Sequence, residues 1–184
     1  LDSSSLVFAG CSEIGLDTLG GTGCVRGNIS ELDIKTGILT VHAAEETSAV
    51  LNVAFSPDNS ILAVGNHSDQ LIFYDTTTWQ ETGERIETGK YTDGLLFMSD
   101  GKTLVTSGLG KTISVWDKPT GQKLHELGLD FFTESVKVSP HRAEVAESGC
   151  YQYNNSGFIC LEGVILLWDI SEERPLGSTY TEIN

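Results

Sequence analysis

Four times along the chain a short apolar run is closed by an aspartate: "NISELD" ends at Asp33, "LIFYD" at Asp75, "ISVWD" at Asp117 and "VILLWD" at Asp169. The intervals are 42, 42 and 52 residues. An internal period of this size marks a repeat architecture, in which each unit buries an apolar face against its neighbours. No other feature of the sequence restricts the fold as much. Turn signatures stand upstream of three of the runs: "FSPDN" from Phe55, "MSDGK" from Met98 and "VSPHR" from Val138. Between turn and aspartate lies a second apolar run ending in small residues, "ILAVGN", "TLVTSG" and "AEVAESG", with "SLVFAG" near the N-terminus.

The runs are rich in Val, Ile, Leu, Phe, Tyr and Thr over four to six residues and are punctuated by Ser-Pro-Asp, Asp-Gly and Thr-Gly. That chemistry predicts strands joined by tight turns. No window holds a capped helical periodicity, so the fold class is all-β. The clearest unit reads as four strands, "LNVAF", "ILAVG", "QLIFYD" and "ETGERIE". A four-stranded unit of about 40 residues ending in Trp-Asp resembles the WD40 repeat. "VWD" at 115–117 and "LWD" at 167–169 carry the resemblance most strongly, with Tyr74-Asp75 and Leu32-Asp33 as degenerate forms. The family's Gly-His pair is missing, since none of His42, His67, His125 and His141 follows a glycine.

The resemblance implies four-stranded blades of a partial β-propeller, with repeats over 1–44, 45–86, 87–128 and 129–184. The first repeat opens at its second strand, leaving about three and three-quarter blades, whereas propellers close with more. The first residue is Leu1 rather than Met, the mark of a processed chain or a piece of one. Missing blades are expected from a parent chain, from another subunit or from a second copy.

In the middle repeats the second and third strands are joined by short turns, "GNHSDQL" and "GLGKTI". In the outer repeats these become longer excursions, "GCSEIGLDTLGGTGCVRGNI" and "GCYQYNNSGFICLEGVI". Cys11 and Cys150 sit where the chain leaves the sheet, Cys24 and Cys160 where it returns. The same pattern, Cys-x-x-Gly-x-Ile-x-x-x-Asp, therefore appears at 24–33 and 160–169. Cysteines facing across the neck of an insertion can form a disulfide. Reduced, buried thiols and a four-thiolate zinc site are the alternatives. Disulfides would imply an oxidising compartment. Sequons at Asn28, Asn66 and Asn154, candidate glycosylation sites, lean the same way. Against this, Cys-flanked insertions before "ILLWD", followed by "RPLG", resemble WD40 tails of large, cytoplasmic bacterial signalling proteins. The compartment stays open between cytoplasmic and extracellular.

Acidic residues outnumber basic ones 26 to 11, for a formal charge of −15, and the basic ones are scattered. Phosphate backbones and anionic membranes demand a basic patch, so neither is expected as a partner. No apolar run approaches the roughly 20 residues of a membrane-spanning helix, and no secretory leader is recognisable. "GLGKTIS" at 108–114 ends like a phosphate loop, but Val105 stands where the first glycine belongs and a strand follows instead of a helix. "GGTGCVRG" at 20–27 puts Arg26 in place of the third dinucleotide-fold glycine and reads as a loop tip. No serine elbow, calcium loop or convincing nucleophile array is present. Neither catalysis nor a cofactor or metal is expected.

Trp116 and Trp168 read as core, and Trp79 as a half-exposed linker residue. The outer insertions offer contact chemistry, with Tyr151, Tyr153 and Phe158 among Asn and Ser, a composition favoured at interfaces. Arg26 in the first insertion and Trp79 complete the candidate partner-binding residues. By the resemblance, loops joining second and third strands share a face on which partners often bind. The expected function is a non-catalytic scaffold binding a protein partner. A sensor tail of a multidomain signalling protein, or an extracellular structural subunit assembling through open blade edges, is the alternative.

Overall fold

The computed structural model describes residues 5–16, 22–46, 49–90, 92, 94–108, 111–139, 142–154, 159–172 and 174–182. Among them are fifteen strands and no helix. Blade 1 holds β1 (Ser5–Leu16), β2 (Thr22–Asp33) and β3 (Leu39–Glu46). Blade 2 holds β4 (Val50–Phe55), β5 (Ile61–Asn66), β6 (Gln70–Asp75) and β7 (Glu81–Glu87). Blade 3 holds β8 (Gly94–Phe97), β9 (Thr103–Gly108), β10 (Thr112–Asp117) and β11 (Gln122–Gly128). Blade 4 holds β12 (Phe132–Val138), β13 (Glu144–Tyr153), β14 (Cys160–Asp169) and β15 (Arg174–Glu182). Each blade is a separate antiparallel sheet with strands in chain order, and blade 1 has three strands against four in the others. The chain divides into two compact units, Leu1–Thr92 with blades 1 and 2, and Asp93–Asn184 with blades 3 and 4.

The closing aspartates recur because each one builds a turn. Asp33 accepts from the backbone N–H of Lys35 and Thr36, Asp75 from Thr77 and Thr78, and Asp169 from Ser171 and Glu172. Asp117 accepts from the N–H and hydroxyl of Thr120. Such side-chain-to-backbone bonds satisfy donors that no strand can reach. They also hold the carboxyls of Asp75 and Asp169 below their usual range, chiefly through the Thr78 N–H and the Ser171 hydroxyl. Asp58 does the same work in the "SPD" turn, lowered to about 2 by the Ser56 hydroxyl and Ser60. Four residues after the aspartate the backbone turns left-handed, at Gly37 and Gly121 with φ 69° each, and at Trp79 with φ 55°.

Each unit holds a hydrophobic core cluster. Blade 1 contributes Ile29, Val7 and Ala9 to a cluster with Val50, Leu62, Val64, Ile72 and Tyr74 of blade 2. Blade 3 contributes Met98, Val105, Ile113 and Val115 to a cluster with Val136, Val145, Trp168 and Ile170 at blade 4. The alternation of strand side chains makes this possible, with every second residue facing the neighbouring blade. Burying a single Ile or Val in this way stabilises by roughly 1.5–3 kcal/mol.

Candidate functional site

The middle hairpins of the outer blades differ from those of the inner ones. β5 and β6 have 6 residues each, as do β9 and β10, whereas β1 and β2 have 12 and β13 and β14 have 10. The excess is a two-stranded ribbon that continues the sheet. The segment 22–27, read from sequence as part of a loop tip, is therefore strand, because cross-strand backbone bonds with β1 override its glycine-rich composition.

Both ribbons carry the same irregularity. In blade 1, Cys11 pairs with Gly27, Glu13 with Arg26 and Ile14 with Cys24, leaving Ser12 and Val25 out of register. In blade 4, Cys150 pairs with Gly163, Gln152 with Glu162 and Tyr153 with Cys160, leaving Tyr151 and Leu161 out. Paired bulges add twist. That twist brings Cys11 to Cys24 and Cys150 to Cys160 at disulfide distance, with Cα atoms 5.7 Å apart in each pair. The recurring Cys-x-x-Gly is thereby explained, since the glycine is the cross-strand neighbour of the partner cysteine. Gly27 has a second reason to be glycine. A Cβ there would lie 2.3 Å from the backbone nitrogen of Val50 on β4, where ribbon base and blade 2 meet.

At and beyond the cysteines the ribbons expose apolar side chains, Ile14 in blade 1 and Tyr151, Ile159 and Leu161 in blade 4. Arg26 is exposed and lies 3.4 Å from Glu13 across the strand. Tyr153 and Asn154 are half-buried. Asn154 anchors the returning strand, its N–H donating to Ile159 O and its Oδ1 accepting from Ile159 N–H. Phe158 lies outside the described residues. Of the sequons, Asn66 is 3% exposed and its Oδ1 accepts from Ser68 and Gln70 N–H, so the folded chain offers no room for a glycan there. Asn28 packs its Oδ1 over Gly10.

Trp79 stands between β6 and β7. Its ring stacks on His42 of blade 1, centroids 3.7 Å apart and planes 5° from parallel, and His42 is bonded to Glu31 at 2.8 Å. The stack holds an aromatic residue in left-handed backbone, which costs of order 1 kcal/mol in a non-glycine residue. Trp116 is buried, its indole N–H donating to Thr106 Oγ1 at 2.9 Å.

Sequence reasoning missed Glu147, a carboxyl 1% exposed on β13. Thr133 donates to one of its oxygens, while the other has no partner among the described residues. Burial raises its pKa to about 7, against the lowering bond from Thr133. The signal was available: Glu147 stands in the repeat where Val64 and Thr106 stand, at an inward position. A cleft of about 300 Å³ within the second unit is lined by Asp100, Thr103, His125 and Ile170 among others. Asp100 there is occupied by the N–H groups of Lys102 and Thr103 at 2.8 Å, a turn-forming role rather than that of a general base. In "GLGKTIS" Gly108 of β9 pairs with Thr112 of β10, so a strand and not a helix follows the Lys-Thr step.

The model of the WD domain, G-beta repeat, matches residues 34–75 and 92–117. The chain carries WD40 repeats. Its WD40 relatives include the WD repeat-containing protein SL1-17 of Schistosoma mansoni, 29% identical over 123 residues, 67% of this chain and 41% of that protein. Topless-related protein 4 of Arabidopsis thaliana is 30% identical over 134 residues, 68% of this chain and 11% of that protein. The chain thus spans less than half the length of either. Among solved structures, Kuenenia stuttgartiensis hydrazine synthase superimposes with a TM-score of 0.70 at 18% identity, over 86% of this chain and 47% of that one. The RRP9 WD40 repeats superimpose with a TM-score of 0.60 at 13% identity, over 72% of this chain and 39% of that one. At such identities the likeness is one of fold, and it is the WD40 propeller fold.

Proposed function

We propose that this chain is a non-catalytic protein-interaction scaffold whose two cysteine-bridged ribbons are its contact elements. WD40 repeats generally mediate protein–protein interaction. The observation that carries the reading is the same elaboration on two blades, a lengthened hairpin bridged by cysteines, with large apolar side chains left in solvent. A cross-link at the neck stiffens a ribbon before it meets a partner, which lowers the ordering cost of binding. The exposed Tyr151, Ile159 and Leu161 supply apolar area, and the net charge of −15 favours a partner with a basic rim around its own apolar patch.

The test is a photo-reactive residue placed at Ile14 or at Tyr151 in the chain expressed in its own cells, with Glu84 on β7 as control position. The reading expects one defined polypeptide cross-linked from the ribbon positions and none from β7. Equal labelling from all three positions, or none from either ribbon, contradicts it.

A further inference from the structure

Within the second unit, blades 3 and 4 meet along an apolar seam, with Val105, Ile113 and Val115 packed against Val136, Val145 and Ile170. Toward the ribbon the seam turns polar. Glu147 stands two residues beyond Val145 on β13, so strand alternation puts both side chains on one face. Its cross-strand neighbour is Val136 of β12. Blade 3 comes close at this point: a Cβ on Gly94 of β8 would lie 2.4 Å from both Val136 Cγ1 and the hydroxyl oxygen of Ser107 on β9. Three buried polar atoms along the seam have no partner among the described residues, Glu147 Oε2, Ser107 Oγ and Trp168 Nε1. Glu147 is 1% exposed and accepts a bond from Thr133. Blade 2 places the apolar Val64 at the same point of its repeat, and blade 3 places Thr106, bonded to Trp116.

A carboxyl makes opposite demands on such a site in its two states. The neutral acid carries a donor and needs few partners, whereas the carboxylate is acceptor-only and has about four sites to fill. Without water or a cation, burial disfavours the charged form. The elements packed against Glu147 supply no compensating cation among the described residues. Lys137 and Glu144 alternate to the opposite face of their strands, and Glu162, of like charge, lies four residues from Leu166 on β14. His125 lines the cleft at the far end of the seam, and Lys111 donates to Asp130 O. Burial accordingly raises the pKa of Glu147 to about 7, with the Thr133 bond as the opposing cause.

We propose that Glu147 is a proton-operated latch on this seam: as the neutral acid it holds β12 and β13 against β8 and β9, and on ionisation it draws in water and lets the two blades part at the ribbon end. One proton passes from the carboxyl to solvent as the seam opens and returns as it closes. The sign follows from the raised value, so the closed state is favoured below about pH 7 and loses ground above it. The opening is local, because the apolar packing around Val145 and Ile170 does not titrate. It is independent of whatever the ribbons bind.

Amide hydrogen exchange of the intact, non-reduced chain at pH 5.5 and 8.5, corrected for the intrinsic pH dependence of exchange, tests this. With a closed-state pKa of about 7 and the ordinary 4.5 once water enters, the opening constant should rise about 30-fold across that interval. The expected result is that loss of protection in β12 and in residues 145–149, with β5 and β6 of blade 2 unchanged. Glu147→Gln, which copies the neutral acid, and Glu147→Thr, which copies blade 3, should each abolish the pH step. Seam protection that is the same at both pH values in the wild-type chain overturns the proposal. So does an equal loss in β5 and β6, which reports a pH effect on the whole chain, or a step that persists in either variant.

Discussion

In blade 3 the indole of Trp116 donates to Thr106, and the pair is sealed in the core. In blade 4 the equivalent positions hold Trp168 and Glu147, and both the indole nitrogen of Trp168 and one carboxyl oxygen of Glu147 are buried with no partner among the described residues. The same two blades differ again at the hairpin, a short turn after Gly108 in one and a cysteine-bridged ribbon in the other. Both sheets therefore rest on one strand pattern, and blade 4 departs from it at the sites that pattern does not need. A regular repeat tolerates local polar and conformational cost when neighbouring blades supply the packing.

The largest expected difference is in the core. Ile113 and Ile165 occupy the same register, one 0% and the other 47% exposed. Ile113→Ala should cost about 3 kcal/mol in urea denaturation, and Ile165→Ala well under 1 kcal/mol. Equal costs would break the comparison between the two faces.

The ribbon comes next. Cys150→Ser together with Cys160→Ser should lower stability by about 2–3 kcal/mol, since the bridge restricts a short loop in the unfolded chain. Hydrogen exchange should rise in 150–160 and stay unchanged in β9 and β10.

Glu147 gives blade 4 a pH dependence that blade 3 lacks. Its folded pKa of about 7 exceeds the ordinary value of 4.5, so the neutral form is the one the core accepts. Stability carried by that neutral form is fully present below about pH 4.5 and is lost as pH rises through about 7, after which the slope ends. The loss reaches at most about 3 kcal/mol, from the linkage of 1.4 kcal/mol per unit. Glu147→Gln should flatten the urea midpoint over this window; an unchanged slope would show that the carboxyl is solvated in the native state.

The smallest effect is a partner swap. Thr106→Val should cost about 1–2 kcal/mol by orphaning the Trp116 N–H. Glu147→Thr should restore the matching bond to Trp168 and be neutral or stabilising, as read by thermal denaturation monitored at the tryptophans.

Much of this was legible in the sequence. The aspartate period located the four third strands because each aspartate must build its own turn, and the turns at Asp58 and Asp100 placed second strands of their blades. The cysteines were legible as brackets of two insertions. Their pairing geometry was not, because it depends on paired bulges that leave Ser12, Val25, Tyr151 and Leu161 out of register, and bulges have no side-chain signature there. The strand at 22–27 was hidden by glycines whose backbone bonds outweigh their propensity. Trp79 was legible only as a half-exposed linker residue, because its left-handed backbone and the stack on His42 belong to the fold.

The most direct test of the account is peptide mapping of the non-reduced chain by mass spectrometry. The account predicts two bridged peptides, one joining Cys11 to Cys24 and the other joining Cys150 to Cys160. Free thiols at these positions, or a bridge joining one ribbon's cysteine to the other's, would contradict it.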